Sequence, residues 1–464
     1  MHDKGVICHR KEAGMGEKYL VVGAGKSGVA AIGLLLRTGS EAVLYDGNKD
    51  LDVKALREAH PDWKDIKIYA GDLPEEAYAG VKVAVLSPGV PTDLPVVDEM
   101  RAHNLSIWGE VELAYELGQG TVCAITGTNG KTTTTALTGE IMRTYFKSVF
   151  VVGNIGIPYT DMADKTREDS VVVAEISSFM LETIEKFHPH VSAILNITPD
   201  HLNRHHSMAN YILAKENITR NQDARDVVVL NYEDDVLREF GQHAPCRPVY
   251  FSSKRRVAGG LYVEDGKLIS EFTREKVEVL PITELNILGS HNYENALAAI
   301  AIAQTMGVPM KDIRKALKNF QAVEHRIEYV TEKRGVRFYN DSKGTNPDAA
   351  IKAVDAMDRP TVLIGGGYDK GSDYDEWVMH FAGKVKKLFL IGVTKEKIAE
   401  CCKKHGFMDF EFCDSFEEAI DKSYEAAEDG DCVLLSPACA SWDMFKSYEQ
   451  RGEIFKEYVQ GLKE

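Results

Sequence analysis

Short apolar runs alternate with amphipathic stretches along this chain, and each run breaks at a cluster of glycine and polar residues. Residues 19–22 are apolar, turn through Gly23-Ala24-Gly25-Lys26-Ser27-Gly28, and lead into an amphipathic pattern reaching about Arg37. Residues 42–45 repeat the strand pattern and end on Asp46, and residues 81–86 run into Ser87-Pro88-Gly89-Val90-Pro91. Residues 122–125 break at Thr126, pass two glycines, and enter a helical pattern headed by Ala136, Leu137, Ile141 and Met142. Buried strands are expected again at 150–152, 171–174, 191–195 and 227–231, helices over 208–221, up to 304, and 313–319, and hairpins within 259–279. Further on, 337–340, 362–364 and 432–435 each run into a polar loop. Repeated strand, loop and helix predict an α/β protein with parallel sheets, whose ligands gather where strands end and helices begin.

The length, 464 residues, sets an expectation of about three domains. The pattern divides them at 18–109, 110–321 and 322–464, behind a disordered tail over 1–17 or an early start with Met15 as the alternative. Acidic residues outnumber basic ones, 71 against 55, and no basic patch offsets the formal charge of −16, so nucleic-acid binding is not expected. No apolar run reaches membrane length, and the first residues are too charged for a signal peptide. The eight cysteines include no C-x-x-C pair, which argues for reduced thiols and a cytoplasmic location. A monomer is expected.

The stretch Thr126-Gly127-Thr128-Asn129-Gly130-Lys131-Thr132-Thr133 is the centre of the chemistry. Glycines let backbone N–H groups curl around an anion, the helix turns its positive end toward it, and a lysine and hydroxyl stand where β/γ-phosphates and Mg²⁺ would be. The loop is shorter than the general P-loop, since Ile125 stands five before Gly130 and the first glycine is Gly127. The first loop, Gly23 to Gly28, with Asp46 eighteen residues further on, has the form of a dinucleotide fingerprint and taken alone argues for NAD. Glu175 ends a strand where a carboxylate would hold Mg²⁺, or else forms a structural ion pair. His201 and His205 have the spacing of a zinc helix but lack its glutamate. Lys215 alone reads as a solvated helix lysine, and Asn292 and Asn295, three apart, suit a purine edge or a helix cap.

Taken together, these motifs resemble the Mur ligase family, amide-forming enzymes of bacterial peptidoglycan synthesis, over residues 21–455. In family order stand the phosphate loop, Glu175-Ile176-Ser177-Ser178-Phe179, Asp200-His201, His291-Asn292 with Asn295, His325-Arg326, and Asn340-Asp341-Ser342-Lys343. Leu435-Ser436-Pro437-Ala438-Cys439-Ala440-Ser441 followed by Arg451-Gly452 resembles the D-glutamate-adding branch. The resemblance implies a Rossmann-like first domain, a central P-loop ATPase-like parallel sheet and a Rossmann-like last domain.

It further implies that ATP activates the carboxylate of UDP-N-acetylmuramoyl-L-alanine as an acyl phosphate, which the amine of D-glutamate attacks. The chemistry needs a γ-phosphate cradle, divalent metal and positive groups along the transfer path, and the residues supply candidates for each. By resemblance Lys131, Glu175, His201, Lys215 and Lys343 are catalytic. ATP falls to Gly127, Thr128, Asn129, Gly130, Lys131, Thr132, Thr133, Asn292, Asn295, Arg326 and Asp341. Two Mg²⁺ fall to Thr132, Glu175, His201 and Lys215, the last as a carbamate. Gly23, Gly25, Lys26, Ser27, Gly28, Asp46, Gly89 and Asn154 become contacts to the UDP-substrate, and Thr345, Lys370, Ser441 and Tyr448 to D-glutamate. The rivals are another Mur or folylpolyglutamate-type amino-acid ligase and an NAD-dependent oxidoreductase.

Overall fold

The computed structural model describes residues 16–154, 156–287, 289–321 and 323–463, so most of the expected tail lies outside the described residues. Three sheets carry the chain. In the first, five parallel strands stand in the order Lys67–Ala70, Glu41–Asp46, Lys18–Val22, Val81–Leu86, Ser106–Gly109. Strand order reverses between Lys18–Val22 and Val81–Leu86, the crevice where such sheets take ligands, and the loops Gly23 to Gly28 and Ser87 to Val90 leave from those two strands. A Cβ on Gly28 would lie 1.8 Å from the carbonyl oxygen of Gly23, so only glycine lets the helix Lys26–Arg37 start this close to the strand.

The second sheet has nine strands, in the order Val277–Pro281, Lys267–Ser270, Leu261–Glu264, Arg247–Ser252, Val227–Asn231, Val191–Ile194, Thr121–Thr126, Val171–Glu175, Val149–Gly153. Lys267–Ser270 pairs antiparallel with both its neighbours, forming the expected hairpins, and every other pairing is parallel. Val122, Cys123, Ala124 and Ile125 are buried on both faces, which explains their unbroken apolar run. One continuous core holds Tyr19, Ile32 and Leu35 of the first sheet layer together with Val111, Val172 and Leu230 of the second.

The third sheet runs Glu328–Lys333, Val336–Asn340, Cys432–Leu435, Thr361–Gly366, Val385–Ile391, Phe410–Phe412, parallel except for its first strand. That antiparallel edge escapes the apolar pattern because it alternates charged residues at a half-exposed border. The chain forms two compact units. The described residues up to Pro281 join Glu294–Leu317 in one, and Ile282–Tyr293 joins the residues from Lys318 onward in the other.

Two helices bear on the site. The one expected over 208–221 is α-helical only over Met208–Glu216 and tightens into a 3₁₀ turn at Asn217–Thr219. The Thr219 hydroxyl bonds the Glu216 carbonyl at 3.0 Å, a local contact that competes with helix continuation. Helix Ser290–Thr305 buries every residue from Ala296 to Ala303, so it is apolar all round rather than amphipathic.

Candidate active site

The phosphate loop leaves strand Thr121–Thr126 and enters helix Lys131–Arg143. Gly130 sits at φ 85°, and a Cβ there would come within 2.3 Å of Asn295 Oδ1, so the loop's tight exit requires glycine. Asn196 clamps the loop from the neighbouring strand: its Oδ1 accepts from Asn129 N–H at 2.8 Å and its Nδ2 donates to the Asn129 carbonyl at 3.0 Å. The Thr128 hydroxyl lies 2.9 Å from Tyr211 Oη and donates to the Thr198 carbonyl at 3.0 Å. Thr132 and Thr133 are buried in the first helical turn, and Thr134 Oγ1 donates to Asn295 Oδ1 at 3.2 Å. Asn295, foreseen as a nucleotide contact, thus stands beside the loop.

Lys131 Nζ donates to the carbonyls of Gly127 and Thr128, each at 2.9 Å. Lys215 Nζ donates to the same Gly127 carbonyl at 2.8 Å, and its amine stands 4.6 Å from the Tyr211 ring centre. Lys215 is therefore no solvated lysine: the residue is 2% exposed. Burial, then Lys131, hold its amine well below the usual lysine range against the opposing pull of Asp200.

Glu175 ends its strand alongside Gly153 and Ile125. Its Oε1 accepts from Asn154 Nδ2 at 2.8 Å, whereas its Oε2 is buried with no hydrogen-bond partner among the described residues. An orphaned carboxylate oxygen at this depth fits a hard cation. Asn154 is placed on Glu175 itself, a contact the sequence did not suggest. His201 is exposed, at φ 52°, 3.6 Å from Asp200 and edge-on to Phe179. His205 is buried and turned to Ser178 at 2.9 Å and Glu182 at 3.4 Å, so the zinc-like spacing serves other partners.

In the first sheet, Asp46 Oδ2 accepts from Ala24 N–H at 2.7 Å and Oδ1 from Asn48 N–H at 2.9 Å. Each oxygen holds one backbone amide, so Asp46 shapes the glycine loop and keeps further acceptor capacity. Gly23 has φ 99°. Lys26 donates to the Gly156 carbonyl. Gly25 and Gly89 line open ground, where added Cβ atoms would meet nothing within 4 Å, and Ser27 between Lys26 and Gly28 is half-buried.

In the second compact unit, Asp341 is buried, accepts from Ser436 Oγ at 2.8 Å, and lies 4.0 Å from Arg326. Burial pushes its carboxyl up to about 6 despite that cation. Asn292 is buried, and burial, with Lys352 and Arg326 nearby, pushes its neighbour His291 down to about 3. Lys343 Nζ stands 5.4 Å from the Tyr448 ring centre, and Thr345 N–H donates to the Lys343 carbonyl at 2.9 Å. Tyr368 N–H bonds the Ala440 carbonyl at 2.9 Å, bringing the loop of exposed Lys370 to the loop of buried Ser441.

Arg451 ties these loops together. It is fully buried and donates to Ser342 Oγ at 2.9 Å and to the carbonyls of Ser342 and Cys439 at 2.8 and 3.2 Å. Asn196, Tyr211 and Arg451 carry the geometry yet received no role from the sequence, because each acts on a loop distant in the chain.

The descriptions of known families match in chain order: the MurD-like N-terminal domain of Mur ligases over residues 17–109, the Mur ligase middle domain over 125–303, and the Mur ligase glutamate ligase domain over 325–439. A UDP-N-acetylmuramoylalanine–D-glutamate ligase of Lachnoclostridium phytofermentans is 55% identical over 97% of this chain and 99% of its own. The protein of the same name from Clostridioides difficile is 44% identical over 97% and 99%. Among solved structures, UDP-N-acetylmuramate-alanine ligase MurC from Thermotoga maritima superposes with TM-score 0.59 at 20% identity, covering 96% of this chain and 100% of that one. A pseudomurein peptide ligase type C from Methanothermus fervidus gives 0.58 at 19%, with the same coverage.

Proposed function

This chain belongs to the Mur ligase family, and we propose that it joins D-glutamate to UDP-N-acetylmuramoyl-L-alanine at the expense of ATP. A carboxylate oxygen of the nucleotide-sugar substrate attacks the γ-phosphorus, ADP leaves, and the D-glutamate amine attacks the resulting acyl carbon. The C–O bond to phosphate then breaks, the amine loses a proton, and the amide remains. The observation that carries this reading is the convergence of Lys131 and Lys215 on the Gly127 carbonyl, in a sheet whose adjacent strand ends on the half-satisfied Glu175.

Each residue then has work to do. The amides and helix end around Gly130 hold the nucleotide's phosphates, and Lys131, now bonded to loop carbonyls, is within a side-chain rotation of following charge onto the γ-phosphate. Gly23, Gly25, Lys26, Ser27, Gly28, Asp46, Gly89 and Asn154 are assigned to the UDP end of the first substrate. Arg326, Asp341, Asn292 and Asn295 are assigned to adenine and ribose, and Thr345, Lys370, Ser441 and Tyr448, with Lys343, to the D-glutamate carboxylates.

Glu175, His201, Thr132 and Lys215 would hold two Mg²⁺, which when bound offset the crowded phosphate and carboxylate charge. For Lys215 this role requires a carbamate. A buried amine beside another cation is the unprotonated form that CO₂ condenses with, so the setting favours that modification. The domain limits 18–109, 110–321 and 322–464, a monomeric state and a cytoplasmic location complete the proposal; among the described residues no helix is long and apolar enough to cross a membrane.

The test is ADP release with UDP-N-acetylmuramoyl-L-alanine plus each of D-glutamate, L-glutamate, L-lysine and diaminopimelate. Release is expected with D-glutamate alone. Equal release with another amino acid, or none with any, would overturn the assignment.

A further inference from the structure

The turn after His201 carries three side chains that the proposed chemistry does not use, and two of them, Arg204 and His206, reach across to the loop that follows strand Val81–Leu86 of the first sheet. The short helix Leu202–His205 is closed at both ends by non-glycine residues in left-handed backbone, His201 at φ 52° and His206 at φ 64°. Such positions are strained for side chains with a Cβ and persist where surrounding contacts over-determine them. Here the contacts are specific. Arg204 grips Glu182 through both ends of its fork, Nη2 to Oε2 at 2.6 Å and Nε to Oε1 at 3.4 Å, and its guanidinium stands 5.1 Å from the Phe179 ring centre.

With side chains 13% and 15% exposed, this pair is shielded from much of the screening that weakens surface ion pairs. The same Nη2 donates to the carbonyl of Val90 at 3.0 Å, one residue after Gly89 in the loop assigned to the UDP-substrate. His206 makes a second tie to that loop, 3.1 Å from Asp93.

The chain of contacts continues toward the metal residues. Glu182 Oε1 lies 3.4 Å from His205 Nδ1, and His205 Nε2 lies 2.9 Å from Ser178 Oγ. The Nδ1 edge of the ring faces the Glu182 carboxylate as an electrostatic contact, and Nε2 shares a hydrogen bond with the Ser178 hydroxyl. Ser178 stands three residues beyond Glu175, and His201 caps the helix that carries Arg204 and His205. The path Val90, Arg204, Glu182, His205, Ser178 therefore joins the substrate loop of the first sheet to the metal-holding segment of the second.

We propose that Arg204 is a positioning residue that fixes the register of the nucleotide-sugar loop against the metal and phosphate residues, so that the substrate carboxylate arrives within reach of the γ-phosphate. The inference rests on the reaction proposed above. It gives Arg204 no contact with a reacting atom; its effect is on distance, to which bimolecular chemistry on a surface is steeply sensitive.

Steady-state kinetics of Arg204→Lys, Arg204→Met, Glu182→Gln and the Glu182→Gln/Arg204→Met pair test it, with melting temperatures measured alongside. Arg204→Lys keeps the charge and loses the fork, and is expected to lower kcat about tenfold; Arg204→Met should approach the roughly hundredfold loss of a 1 Å misplacement. KM for ATP should stay within about twofold, because the cradle is untouched. The double variant should be no worse than Arg204→Met, since both act through one link. If Arg204→Met fails to fold, Arg204→Lys and Glu182→Gln carry the same comparison. A kcat within about twofold of the parent, losses that multiply in the double variant, or a KM for ATP that rises in step with the loss in kcat would each overturn the inference. A parent enzyme without ADP release would instead overturn the reaction it rests on.

Discussion

Two amines share one carbonyl oxygen at the heart of the site, and only one of them was legible as a site residue from its own surroundings. Lys131 is marked by the glycines before it and the helix after it. Lys215 looks like any solvent-facing helix lysine until Tyr211 and the Gly127 carbonyl are seen to enclose it; its role came from family likeness alone. Its burial beside Lys131 makes the carbamate testable without turnover. In ¹³C-bicarbonate buffer the protein should show a carbamate carbon resonance that is lost in Lys215→Ala. That variant should be nearly inactive and partly restored by acetate, which can fill the vacated oxygen-ligand position. Parental activity in Lys215→Ala, or no carbamate signal in an active parent, would remove the proposal. Asp341 offers a second residue-scale test. Burial raises its carboxyl to about 6 in the folded chain, against 3.8 for an unperturbed aspartate. Between about pH 4 and about pH 6 the unfolded chain therefore loses this proton first, and stability falls as pH rises. Above that window the cost is complete, about 3 kcal/mol at 1.36 kcal/mol per pH unit. Asp341→Asn has no such proton to lose, so its stability relative to the parent should improve across the window in urea unfolding. A difference independent of pH would show that Asp341 is not raised.

At the scale of elements, strand-to-loop junctions were the most legible feature, because an apolar run that breaks into glycine and polar residues reports both burial and the end of a strand. The loops after Val22, Leu86, Thr126, Glu175, Asn340, Gly366 and Leu435 all lie at strand ends. What fixes the loops was not legible, since the partners come from remote parts of the chain. Asp46 shows the difference: its position after a strand suggested a ribose contact, whereas its hold on the amides of Ala24 and Asn48 had no signal in the sequence. Arg451 shows it again. It was visible only as part of a terminal motif, whereas in the fold it closes the loops at Ser342 and Cys439 from within helix Tyr448–Gly461, whose first turn is capped by Ser447 accepting from Gln450 N–H at 3.3 Å. Burial lowers its guanidinium to about 10, still a cation at neutral pH. Arg451→Met removes the donors while leaving the carbonyls buried, and should cost about 3 kcal/mol or more. It should also weaken D-glutamate binding, because Ser441 and Lys343 flank the loops it ties. Calorimetric unfolding together with the KM for D-glutamate checks both. An unchanged melting temperature would mean that water or another donor satisfies those carbonyls equally well.

At the scale of the whole molecule, three sheets do not make three separate cores. The first and second sheets share one, and the chain completes that unit only after passing through Ile282–Tyr293, when Glu294–Leu317 returns to it. The returning segment is far from peripheral, because Ala296 to Ala303 are all fully buried. A helix apolar on every side cannot stand in water, and the space it fills cannot be left empty without cavity costs at many side chains at once. The proposed limit at residue 321 therefore has a physical consequence that a limit at the last strand of the second sheet would not share. A fragment of residues 16–321 keeps both sheets and the returning helix and should fold with a single cooperative thermal transition. A fragment of residues 16–281 keeps every strand of both sheets but loses the helix, and should be insoluble or lack near-ultraviolet circular dichroism. The comparison separates sheet from core as the unit of stability. Cooperative unfolding of the shorter fragment at the temperature of the longer one would show that the buried helix is dispensable and that the limit at 321 is wrong.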